Sequence, residues 1–274
     1  MICASLQSMA VTPGQVRFIN EATDTAKITS ILIKLADMGY PEASISAKTA
    51  TDMLLGASYA KDLLEGTDEM LTVSMDSFDC MTFVETVTAL ALTSNERRSS
   101  WHDFIYNLER LRYRNGAIDG YGSRLHYVSD WIIDNVHRGN LEDVTARVGN
   151  ASYKVKTINY MSSNRDEYPK LKDDAEFERI KNLEIGYRSH RLPYLKPGNI
   201  SRAALRDGDI VAFMSNKQGL DVSHMGIVEM VDGVPMFVHA SSKEGKVVLD
   251  RLPLADYAQR TKDCYGIRVI RIKE

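Results

Sequence analysis

Three side chains in this sequence combine the right types and settings for nucleophilic chemistry: Cys80, His224 and His239. Cys80 lies in Ser77-Phe78-Asp79-Cys80-Met81-Thr82-Phe83-Val84-Glu85, at the start of a segment, Cys80 to Leu92, that is apolar nearly all round and predicts a buried helix. The unpaired N–H groups and dipole of a helix start favour a thiolate, and the same N–H groups can receive an oxyanion. His224 lies in Ser223-His224-Met225-Gly226-Ile227-Val228 and His239 in Phe237-Val238-His239-Ala240-Ser241, with the hairpin signal Asp232-Gly233 between them. That spacing puts the two rings on adjacent strands. A thiol, a base and a group that orients the base form the constellation for acyl transfer. In it, His224 takes the thiol proton and returns it to the leaving amine, while His239 fixes the tautomer of His224.

Rival readings use the same residues. Free cysteine is among the most buried residue types, so Cys80 can be simple packing. Cys80, His224 and His239 are also competent zinc ligands, although no fourth ligand is evident and no metal or other cofactor is implied. A binding module without turnover is a third reading, and an acyltransferase that hands a thioester to an amine is a fourth. His102, His126, His137 and His190 have no partner pattern, and Cys264 reads as packing.

The elements that must position the three follow from periodicity. Val16 to Met38 predicts a first helix stopped by Gly39, and Ser46 to Leu64 one or two short helices interrupted by Gly56. Leu71 to Ser74 predicts a short extended segment, and Ser99 opens a helix carrying Trp101, Phe104, Leu108 and Leu111. Tyr113 to Asn199 has weaker periodicity and reads as an insertion, helical over Asp174 to Tyr187. After Leu205 come short β-branched runs at Asp209–Met214, Met225–Val231, Pro235–His239, Lys246–Leu249 and Tyr265–Ile272. Helices first and strands afterwards predict an α+β fold with a late antiparallel sheet or open barrel. We expect one domain over 1–274: a helical part at 11–75, a core from 76–95 and 205–274, and an insertion at 96–204 that shapes the cleft.

Composition narrows the partners. Over 274 residues, 44% are hydrophobic and 26% charged, with a formal net charge of −3. That balance gives no general pull toward nucleic acid or an anionic membrane. No stretch reaches the roughly 20 apolar residues of a membrane span. Cys3, Cys80 and Cys264 are too few and too scattered for a disulfide framework. Ser8-Met9-Ala10 has the small-residue character of a signal-peptidase site, which leads us to expect a cell-envelope or periplasmic location, with the cytoplasm as the alternative.

Asp79-Cys80 opening a helix, Gly208-Asp209-Ile210-Val211, Ser223-His224-Met225-Gly226-Ile227 and Phe237-Val238-His239-Ala240-Ser241, in this order, resemble the NlpC-type papain-like peptidoglycan hydrolases. Asp79-Cys80-Met81-Thr82-Phe83-Val84-Glu85 and Ser123-Arg124-Leu125-His126-Tyr127-Val128-Ser129-Asp130-Trp131-Ile132 are similar to a Gram-negative branch regarded as N-acetylmuramoyl-L-alanine amidase-like. Thr82-Phe83 stands where Ser-Gly is frequent in the superfamily, and the insertion is long. The resemblance implies cleavage between the lactyl group of a muramic acid and L-alanine, with endopeptidase action inside the stem peptide as the alternative. The expected partner is a peptidoglycan fragment or muropeptide bound by a monomer. Tyr121, Arg124, Tyr127 and Trp131 offer aromatic faces and a forked cation suited to a sugar ring and a stem carboxylate. Asp79, as amine ligand or helix cap, and Ser223 and Ser241, flanking the two histidines, complete the expected substrate contacts.

Overall fold

The structure, a computed structural model, describes residues 15–274. The signal-like segment Met1 to Ala10 and Cys3 lie outside the described residues.

The chain opens with strand β1 (Val16–Phe18) and helices α1 (Glu21–Asp37) and α2 (Ala43–Leu54), followed by β2 (Ser58–Tyr59), β3 (Leu71–Val73) and β4 (Ser77–Phe78). Helices α3 (Cys80–Asn95), α4 (Trp101–Arg112) and α5 (Val128–His137) come next. Then follow β5 (Leu141–Asp143), α6 (Thr145–Val148), β6 (Ala151–Val155), α7 (Tyr160–Ser163), α8 (Asp174–Gly186), β7 (Arg191–Leu195) and α9 (Pro197–Ile200). The last part holds β8 (Ile210–Ser215), β9 (Val222–Val231), β10 (Val234–Ser241), β11 (Lys246–Leu249), α10 (Leu254–Arg260) and β12 (Cys264–Ile272). One large sheet runs β4-β2-β11-β10-β9-β8-β12-β7-β6, with β5 paired to β12. It is antiparallel except between β2 and β4.

Alternation along the central strands divides the interior. Ile210, Ala212, Met214, Met225, Ile227 and Val238 join the main core beneath α1 to α4. Val211, Phe213, Val228 and Phe237 face a second core closed by Leu254 and Ala258 of α10. The β9–β10 hairpin turns at Asp232 (φ 50°) and Gly233 (φ 79°), the two left-handed positions that a two-residue turn requires.

Three expectations need correcting. The first helix begins at Glu21, because Asn20 caps it: its side chain accepts from Thr23 N–H, and Asp24 reaches back to Asn20 N–H. Val16–Phe18 before the cap pairs with β3. No second helix forms after Gly56. There, Ser58 and Tyr59 donate to the carbonyls of Asp76 and Gly245, so non-local pairing overrides the local pattern. The sheet is also not wholly late, since β5, β6 and β7 join it from the middle of the chain.

Candidate active site

Cys80 is the first residue of α3, and the cap before it is complete. Asp79 Oδ1 accepts from Thr82 N–H at 2.7 Å, and Thr82 Oγ1 accepts from Asp79 N–H at 3.0 Å. Phe83 N–H closes the first helical bond on Asp79 C=O. The cap thus takes the third N–H of the helix and the backbone the fourth, leaving those of Cys80 and Met81 for the sulfur. Met225 N–H, from the residue after His224, also donates to it, and this places the thiol against the start of β9. Burial first, and then the Asp79 charge, push the Cys80 thiol up to about 12 against these N–H groups. The thiolate preference expected from the helix start is therefore outweighed, and the resting group is a half-buried neutral thiol.

His224 sits beside a bulge. Phe213 pairs with His224 and Met214 with Val222, so Ser223 is the extra residue, a device that re-aims the neighbouring side chain. His224 Nε2 meets His239 Nδ1 at 2.6 Å, and His239 Nε2 meets Asp250 Oδ2 at 3.2 Å. An aromatic box surrounds both rings: Phe213 stacks on His224 at 5.8 Å, Phe237 on His239 at 4.6 Å, and Tyr257 stands edge-on to His239 at 5.7 Å. Burial and the neighbouring His239 lower His224 to about 3. Burial also lowers His239, with Asp250 opposing. Tyr59 from β2 and Tyr257 from α10 lie close enough to Cys80 that a thiolate there would raise their hydroxyls, which marks them as its neighbours.

Sequence reading missed Asp250. Its signal was present, an acid immediately after the strand expected at Lys246–Leu249. In the β10–β11 register Val238 pairs with Leu249, which sets Asp250 within reach of His239.

The remaining sequence-predicted residues are distributed differently. Asp79 is the helix cap. Ser223 is exposed beside His224, and Ser241 Oγ accepts from Glu244 N–H in the turn after β10. Tyr121 and Arg124 do come together, with the guanidinium 4.9 Å from the ring centre. Arg124, however, is buried and spends its fork on Glu65 Oε1 (2.7 Å) and Leu64 C=O (3.2 Å), holding the segment that follows Tyr59. Tyr127 precedes α5 rather than sharing its face with Trp131. Its hydroxyl donates to Glu184 and accepts from Met161 N–H in a satellite core. Trp131 is fully enclosed in the main core. Burial leaves Tyr127 and Trp131 no open ring face for a ligand.

Among the described residues, no group of three or more His, Cys, Asp or Glu is arranged to hold a metal ion, and no helix is long and apolar enough to cross a membrane.

Residues 49–267 match the family model described as AmiA-like, N-acetylmuramoyl-L-alanine amidase-like. The chain is similar to the crystal structure of an N-acetylmuramoyl-L-alanine amidase from Bacteroides uniformis, at 35% identity and a TM-score of 0.81, covering 85% of this chain and 99% of that one. It is also similar to a Bacteroides fragilis structure named as a candidate xylanase, at 38% identity and a TM-score of 0.77, covering 82% and 99%. A Legionella pneumophila protein shares the fold at 22% identity and a TM-score of 0.70, covering 93% and 96%. No curated protein matches the chain.

Proposed function

From the premise that this chain belongs to the N-acetylmuramoyl-L-alanine amidase-like family, we propose that it is a cysteine amidase on an NlpC-type papain-like scaffold. Its bond is the amide between the lactyl carbonyl of a muramic acid and L-alanine in a wall-derived fragment, and its proposed setting is the cell envelope. The observation that carries the reading is the line Asp250, His239, His224, which ends on a strand whose next residue, Met225, donates its N–H to the sulfur at the start of α3.

At rest, thiol and imidazole are both neutral. Attack therefore begins with transfer of the thiol proton to His224 as the sulfur adds to the carbonyl carbon. The N–H groups of Cys80 and Met81, which point toward the sulfur at the helix start, are the donors available to stabilise the oxyanion as the sulfur adds. Protonated His224 delivers its proton to the alanine nitrogen as the C–N bond breaks, leaving a muramoyl thioester on Cys80. Water, deprotonated by His224, then releases the free lactyl carboxylate. Phe213, Phe237 and Tyr257 pack against the two imidazoles and hold their rings in place for these proton transfers.

The test is mass spectrometry of a defined muropeptide after incubation. Loss of the whole stem from the sugar is the expected outcome, abolished in Cys80→Ala. Cleavage within the stem, or undiminished turnover in Cys80→Ala, would end the proposal.

A further inference from the structure

We infer that Asp250 is a positioning residue that selects the ring nitrogen His224 presents to the thiol, acting through His239; this rests on the reading of Cys80 and His224 as nucleophile and base. The carboxylate is itself held in place. Asp250 N–H donates to Phe237 C=O at 3.0 Å, and Asp250 Oδ1 accepts from Leu252 N–H at 2.8 Å, which aims Oδ2 at His239 Nε2, 3.2 Å away.

A carboxylate can only accept, so His239 Nε2 must carry the hydrogen. A neutral imidazole has one N–H, which leaves His239 Nδ1 as a lone pair. The 2.6 Å contact to His224 Nε2 then needs a hydrogen on His224, and Nε2 supplies it. His224 Nδ1 is thereby left unprotonated, the form a general base needs. With the opposite tautomers, Nδ1, the one ring nitrogen of His224 not engaged by His239, would carry the hydrogen and could not take a proton from the thiol. When the thiol proton reaches Nδ1, the charge on His224 is shared through Nε2–H with His239 and faces the Asp250 carboxylate at the far end. No proton has to move onto Asp250.

Other charged or titratable groups around this line include Glu244 in the turn after β10, Tyr257 on α10, Tyr59 on β2, and Cys80 and Asp79 at the start of α3. Of these, Asp250 alone has an atom within hydrogen-bond distance of the outer nitrogen of His239.

Two measurements that need no substrate test the inference. Histidine ring ¹⁵N NMR of the resting protein is expected to show hydrogen on Nε2 and a bare Nδ1 for both rings, with that assignment lost in Asp250→Ala. The rate of Cys80 alkylation by iodoacetamide at neutral pH is expected to fall on the order of 10²-fold in Asp250→Ala, the scale of a lost general base. The loss should be smaller in Asp250→Asn, whose amide oxygen can still accept. Asp250→Asn is near-isosteric, so it carries the test if Asp250→Ala does not fold. Unchanged tautomers, or alkylation within about twofold of the parent in both variants, would overturn the role of Asp250. Both readouts stand even if muropeptide is not cleaved, which separates failure of this inference from failure of the amidase reading.

Discussion

Removing the guanidinium of Arg112 should unlatch the helix that carries Cys80, by an amount that the burial of the pair sets. Arg112 Nε donates to Glu85 Oε2 and Arg112 Nη1 to Thr72 C=O, each at 2.6 Å, and both partners of the ion pair are 2% exposed. Glu85 lies on α3, the helix that Cys80 begins. Burial pushes the Glu85 carboxyl up and Arg112 opposes that shift. In Arg112→Ala the carboxylate is left alone in the core, which costs about 3–5 kcal/mol. At roughly 2–4 °C per kcal/mol for a chain of this size, the melting temperature should drop by about 10 °C. Without its partner the folded carboxyl holds its proton more tightly than the unfolded one. The deficit should therefore be smallest below the ordinary value of 4.5 and grow as pH rises. The double variant Glu85→Leu, Arg112→Met removes both charges and should recover most of the loss, since such pairs are often replaceable by apolar residues. Urea unfolding followed by circular dichroism at pH 5 and pH 8 measures all three proteins. A loss under about 1 kcal/mol in Arg112→Ala, or a double variant as weak as the single one, would refute the argument.

Among the described residues Glu109 is buried with no cation paired to it; its carboxylate accepts from Ile118 N–H at 3.3 Å, and burial pushes it up from 4.5 to about 7. Its proton-linked stability is full below 4.5 and is lost as pH rises through 7. Glu109→Gln should therefore be neutral in acid and stabilising by roughly 3 kcal/mol above pH 8, which the same unfolding assay reads. Because the Asp79 charge raises the Cys80 thiol, Asp79→Asn, which keeps a capping oxygen, should shift the pH dependence of alkylation downward; no shift would remove Asp79 from the electrostatics. Asp79→Ala should in addition lose about 1 kcal/mol of helix-cap stability. Since His224 is lowered from 6.5 to about 3, the acid limb of kcat/KM should lie well below the ordinary imidazole range, and a limb at or above 6.5 would contradict that environment.

What was legible in the sequence was whatever local chemistry decides. The strands from Ile210 to Ile272 alternate cleanly between two cores, and Asp232-Gly233 names its own turn, so β8 to β12 fell close to their expected bounds. Helix α3, which Cys80 begins, was readable from Asp79 at its cap and the apolar run behind it. Residues decided by distant partners were not readable. Ser58 and Tyr59 become a strand only because Ser77-Phe78 and Lys246 lie alongside, and β6 and β7 stand at the sheet margin, where patterning is weak. The same limit applies to the site. Arg124, Tyr127 and Trp131 have the chemistry of ligand contacts, but Glu65, Glu184 and the main core claim them. Asp250 carries no motif, and its role emerges only from the register that brings it to His239.

The proposed reaction turns on which atom carries the acyl group between its two halves. Rapid acid quenching of the protein with a muropeptide, followed by digestion and mass spectrometry, reads it directly. A muramoyl group in thioester linkage on the Cys80 peptide is the expected species. A stem-peptide acyl group there, or a muramoyl group on any other residue, would contradict it.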